Sequence, residues 1–177
     1  MTNEQDDINK AVQAVVAAVR AGDTGALYGA VMPPAGGRTP PDEAGRWFAL
    51  LVLHVALAAS AACDLERGCS REAVAQWITD TLGPPPTPAL IRSADPAHID
   101  HVTAASAAAD YARYVDYSVD LMRVGLAAPG EDVDLRAVDA HQAATNDKTA
   151  RINVIALLGR LAAAPSQHAR GSQGRSA

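Results

Sequence analysis

Trp47–Cys63, WFALLVLHVALAASAAC, decides the fold: it is one helix long and apolar on every side except at His54 and Ser60. A helix with no polar face has no side to give to solvent, so it reads as the central rod of an all-helical domain, enclosed by other helices. A membrane span is the competing reading, and the segment is short for one. About a third of the run is alanine, His54 stands mid-segment, and no second apolar stretch of this kind follows, so a buried core helix is expected and no membrane partner. Before it, MTNEQDDINK offers no basic region leading into a short apolar run, so no signal peptide is read and a cytoplasmic location is expected.

Helix starts and stops can be followed outward from that rod. Upstream, Asn3 or Asp6 opens a helix whose Ile8, Val12, Val15, Val16 and Val19 form one buried stripe, and Gly22 closes it. Asp23 then caps a short helix to about Ala30, and PPAGGRTPP cannot be helical. Asp42 is expected to cap the central helix. Downstream, Ser70 or Cys69 opens a helix with Val74, Trp77, Ile78 and Leu82 on one face, which Gly83 stops. Asp95 followed by Pro96 is a strong start for a long helix to about Gly125. The last segment, 131–164, is polar in its middle (HQAATNDKTAR) and reads as one helix or as two broken near Asn146.

The fold expectation is therefore an all-α, single-domain bundle of five or six helices around a central apolar helix at about 42–66. Pro-rich crossovers fall at 33–41 and 83–96, the domain covers 1–164, and a disordered tail covers 165–177. The hydrophobic share of 49% overstates the core, because 39 residues are alanine and only seven are aromatic. Alanine favours helix and close helix approach but buries little area, so a thin, tightly spaced core is expected.

A net charge of −5 gives no general attraction to phosphate backbones, and although 151–177 carries four arginines and no acid, no nucleic-acid partner is expected. Cys63 and Cys69 are too few for a disulfide framework or a four-thiolate zinc site and are read as free thiols. No phosphate-binding loop, nucleophile elbow, HExxH or paired Glu-x-x-His pattern is present, and no cofactor is expected.

Three constellations could carry chemistry. His98 and His101 share the first turn of the long helix at a spacing two imidazoles can use for a metal, but two further ligands are lacking; they are weak candidates and no metal is expected. In DYARYVDYSVDLMR, Tyr111, Tyr114 and Tyr117 crowd into two turns beside Arg113, and the group is the candidate binding face, since tyrosine suits surfaces with one apolar and one wet end. Arg113, Asp116, Asp120 and Arg123 form a stripe able to pair within itself. Third, if 131–164 is one continuous helix, then His54, Asp116, Asp120 and His141 could line an internal polar cavity, and these four are the catalytic candidates. Two functions follow: a non-enzymatic interaction or regulatory protein acting as a homodimer, or a small enzyme or ligand-binding bundle with a small molecule in that His/Asp-lined site.

Overall fold

A computed structural model describes residues 4–34, 39–83, 101–132 and 134–165, without the side chains of 101–108. Seven helices lie among these residues: α1 Glu4–Ala21, α2 Thr24–Val31, α3 Pro41–Ala62, α4 Arg71–Leu82, α5 His101–Leu126, α6 Leu135–Asn146 and α7 Lys148–Ala162. There is no strand among them, so the protein is an all-α bundle. The count exceeds the expected five or six. The start expected at Asp95–Pro96, the 84–96 part of the second crossover, and the tail from residue 166 lie outside the described residues.

Local chemistry explains most boundaries. Gly22 ends α1 with φ of 66°, a conformation glycine adopts without steric cost, and Asp23 begins α2 by accepting from the Ala26 N–H at 2.9 Å. Ser70 caps α4 through the Ala73 N–H, and Gly83 closes it at φ 80°. The central helix departs from expectation at both ends. Pro41 rather than an Asp42 cap begins α3, because a proline at the first helical position loses only an N–H that would be unbonded anyway. It stops at Ala62, with Cys63 extended, so DLER is not part of it. A linker, 63–70, follows and is pinned to the end of α5 by the Gly68 N–H on the Leu126 carbonyl at 2.7 Å.

The last segment is two helices, and Asp147 is the break. Its backbone is extended at φ −92°, ψ 116°; its N–H closes α6 on the Ala143 carbonyl while its carboxylate opens α7 by accepting from Thr149 and Ala150 N–H at 2.8 and 3.1 Å. One residue thus serves as C-cap and N-cap. Arg151 completes the joint, with Nε and Nη2 donating to the Thr145 carbonyl at 3.1 and 2.5 Å and its guanidinium 3.9 Å from the Phe48 ring centroid.

The core is shared between α3 and α7. α3 packs on α1, α5, α6 and α7, and α7 packs on all six other described helices. Two glycines let helices come close. A Cβ on Gly159 of α7 would lie 2.8 Å from Val15 Cγ1 and 3.1 Å from Val19 Cγ2 of α1. A Cβ on Gly125 of α5 would lie 2.7 Å from Ser60 Cβ of α3. At that second crossing the buried Ser60 hydroxyl stands 2.9 Å from the Ala56 carbonyl and 2.8 Å from the Met122 carbonyl, and its single proton is divided between its own helix and the neighbour. α3 is the described helix long and apolar enough to cross a membrane, yet eight of its 22 residues are buried in the bundle and an outer side is not.

Candidate functional site

The four catalytic candidates face three different neighbours. His54 is half-buried on α3 and turned toward α1: its Nδ1 donates to the Leu50 carbonyl at 2.8 Å, and its Nε2 stands 3.1 Å from Gln5 Nε2. His141, half-buried on α6, donates from Nε2 to the Ala49 carbonyl of α3 at 3.0 Å. The Thr145 hydroxyl in turn donates to the His141 carbonyl. The two imidazoles therefore bond to adjacent backbone carbonyls of the central helix, His54 within that helix and His141 from α6, and each spends an N–H on structure. Asp116 and Asp120 lie on α5 and turn to α4, where Arg71 Nε donates to Asp120 at 2.8 Å and Nη2 to Asp116 at 3.2 Å. The hydrogen bond that Arg71 donates to Asp120, reinforced by the one to Asp116, holds the Arg71 guanidinium pKa up. The condition for a shared cavity, a continuous last helix with a polar middle, fails at Asp147.

The charged stripe of α5 does not pair within itself: Asp116, Asp120 and Arg123 pair beyond the helix, and Arg113 pairs with Asp110 one turn back. Arg113 reaches Asp110 at 2.9 Å, the two aspartates share Arg71, and Arg123 reaches Glu131 at 3.2 Å and Asp134 at 3.3 Å across the turn into α6. Apart from Arg113–Asp110, which stays within α5, these pairs join α5 to α4 and to the turn that leads into α6, and only Asp120, with 12% of its side chain exposed, is substantially withdrawn from water. The tyrosines do not stand out as one exposed stripe. Tyr114 is buried in the core with Arg113 over its ring at 5.4 Å, whereas Tyr111 and Tyr117 are half-buried and packed against the same core. Much of each ring is thus already engaged.

His98 lies outside the described residues, and of His101 only the backbone, in the first described turn of α5, is described. Among the described residues no group of three or more His, Cys, Asp or Glu could hold a metal ion. Cys63 and Cys69 are free and half-buried at the two ends of the α3–α4 linker. Burial pushes the Cys63 thiol pKa up, which holds back its reactive thiolate.

What the sequence reading missed is a surface. The Met122–Gly125 end of α5 sits against Ser60, α6 begins just beyond it, and His141 reaches Ala49, so α6 runs antiparallel to α3. Leu135 and Val138 therefore fall on α6 at about the level of the Leu53–Leu57 stretch of α3. Leu135 is 79% exposed, Val138 44% and Leu57 38%, while Leu53 is half-exposed. The signal was present in α3 itself, whose apolar residues run all round the helix: Leu53, Leu57 and Ala61 recur at four-residue steps on the side its neighbours leave open. No protein-family model, curated protein or solved structure matches this chain.

Proposed function

We propose that the chain is a non-enzymatic helical interaction protein that acts as a homodimer, pairing through the flank formed by Leu53 and Leu57 of α3 with Leu135 and Val138 of α6. The observation that carries this reading is the open apolar side of α3, a helix with no polar residue between Trp47 and Cys63 other than His54 and Ser60. Isolated exposed leucines are ordinary, but four large aliphatic residues along one flank of two antiparallel helices make a patch of the kind that marks association. The same flank on a second copy is self-complementary, as a two-fold interface requires. The catalytic candidates support the reading from the other side, since His54, His141, Asp116 and Asp120 are each committed to a bond that holds two helices together.

The test is oligomeric state. Multi-angle light scattering across a dilution series should give a dimer that dissociates on dilution. The double variant Leu57→Glu/Val138→Glu should be monomeric with unchanged helicity by circular dichroism, because two carboxylates placed on a self-contacting flank meet their own copies. A wild-type protein that stays monomeric at every concentration, or a double variant that still dimerises, overturns the proposal.

A further inference from the structure

Where α1 and α3 begin, beside the chain leaving α2, the molecule has a cleft of about 380 Å³. That volume is in the range of small-molecule sites, roughly 300–1,000 Å³. Its walls are stiff. Pro33 and Pro34 have locked φ angles, and Trp47, only 8% exposed, is fixed by its indole N–H donating to the Val31 carbonyl at 3.0 Å. Thr39 also lines the cleft, and its Oγ1 is buried without a hydrogen-bond partner. A buried polar atom left unpaired is costly, and a ligand that supplies its partner recovers that cost.

Charge selects the ligand. Arg46 Nη2 is 2.7 Å from Glu4 Oε2, so those two rim charges cancel. Glu43, exposed in the first turn of α3, then leaves the cleft with a net charge of −1. We propose that this cleft is a binding site for a small organic monocation, an ammonium carried on a compact apolar or aromatic body. The ammonium is held toward Glu43, the body lies against the Trp47 indole and the two proline rings, and the Thr39 hydroxyl takes one of the ligand's hydrogen bonds. An anion of the same shape would meet Glu43 with Arg46 already occupied. Glu43 and Leu57 are fourteen residues apart along α3. That is about 20 Å of helix, so the site stands or falls separately from the dimer flank.

Benzylammonium, neutral benzyl alcohol and benzoate form a matched set of probes for isothermal titration calorimetry on the full chain. Benzylammonium should bind, benzoate should not, and benzyl alcohol should be weaker by about three- to tenfold, as expected for loss of one partly screened charge contact. Glu43→Gln should weaken benzylammonium by the same factor and leave benzyl alcohol unchanged. Thr39→Val should weaken both cation and alcohol while leaving the melting temperature of the free protein unchanged or raised, because the hydroxyl has no partner inside the protein. The proposal is overturned if benzylammonium and benzyl alcohol bind equally, if no probe binds at millimolar concentration, or if Thr39→Val lowers the melting temperature, which would give its hydroxyl a structural bond.

Discussion

α3 and α7 divide the centre of the bundle, yet the helix with the more polar sequence is the better enclosed. α7 opens on Lys148 and contains Arg151, Asn153 and Arg160, and still seven of its fifteen residues are buried; α3 has only two polar residues from Trp47 to its end at Ala62, and eight of its 22 are buried. Topology accounts for the difference. α7 runs against every other described helix, and its polar groups find places at the margins: Arg151 lies over Phe48 and Arg160 faces solvent. α3 is bordered by α1, α5, α6 and α7 on three sides and keeps Leu53, Leu57 and Ala61 on the fourth. Apolarity on all sides records everything a helix must meet, including what lies beyond its own chain, whereas burial records only what the chain itself supplies.

The sharpest way to break this comparison is to place the same charge in each helix. Leu158→Asp puts an unpaired carboxylate at a position with no exposed area. The cost of several kcal/mol rivals the whole stability of a domain, about 5–15 kcal/mol, so this variant should be unfolded by circular dichroism at room temperature. Leu57→Asp, at 38% exposure, should keep its helicity and melt within a few degrees of wild type. A folded Leu158→Asp protein beside an unfolded Leu57→Asp protein would reverse the roles assigned to the two helices.

A second, smaller effect tests how closely each helix is approached. Gly159→Ala drives a methyl to 2.8 Å from Val15 Cγ1, and Gly125→Ala drives one to 2.7 Å from Ser60 Cβ. Each should destabilise by about 1–3 kcal/mol, the usual cost of overpacking. Gly29→Ala in α2 meets nothing within 4 Å and should instead stabilise by up to about 1 kcal/mol, through helix propensity. The exchange Ser60→Gly/Gly125→Ala moves the Cβ across the α3–α5 crossing and should recover part of the Gly125→Ala loss, minus the hydroxyl bond to the Met122 carbonyl. Equal melting temperatures for Gly29→Ala and Gly159→Ala would show that α1 and α7 are not in close contact.

Most of the fold was legible where one residue's chemistry suffices. Gly22, Asp23, Ser70 and Gly83 mark ends that need no partner to be recognised, and the Ile8–Val12–Val15 stripe points to the core from its spacing alone. Properties of pairs were not legible. Gly125 and Gly159 look like ordinary helix-weakening glycines until Ser60, Val15 and Val19 are placed against them. The acid–base stripe of α5 suggests self-pairing until Arg71 arrives from α4 and Glu131 and Asp134 from beyond the turn. The candidate site suffered most, because His54 and His141 look alike in sequence whether they converge on a cavity or, as here, bond to neighbouring carbonyls of α3. The open flank of α3 could not be located because hydropathy alone does not say which side of a uniformly apolar helix its neighbours leave uncovered.

The finest test of why α7 is enclosed concerns Asp147, since a continuous α6–α7 rod could not pack on every other helix. Hydrogen bonds from the Ala150 N–H foremost, and then from Thr149, hold the Asp147 carboxyl below its ordinary pKa. A carboxylate whose pKa is depressed by folding contributes stability that is present above its unfolded pKa and is lost as pH falls through its folded one. The wild-type melting temperature should therefore decline as acid protonates Asp147, on a limb lying below the usual aspartate range. Asp147→Asn keeps an oxygen acceptor for the same two N–H groups but cannot titrate there, so its melting temperature at neutral pH should be close to wild type and its acid limb shallower. Asp147→Ala lacks the acceptor altogether and should melt lower at neutral pH, with the gap to wild type closing in acid. Thermal melts of the three proteins across the acid range check this. A gap that stays constant with pH would mean that the break between α6 and α7 is held by Arg151 on the Thr145 carbonyl and not by the carboxylate.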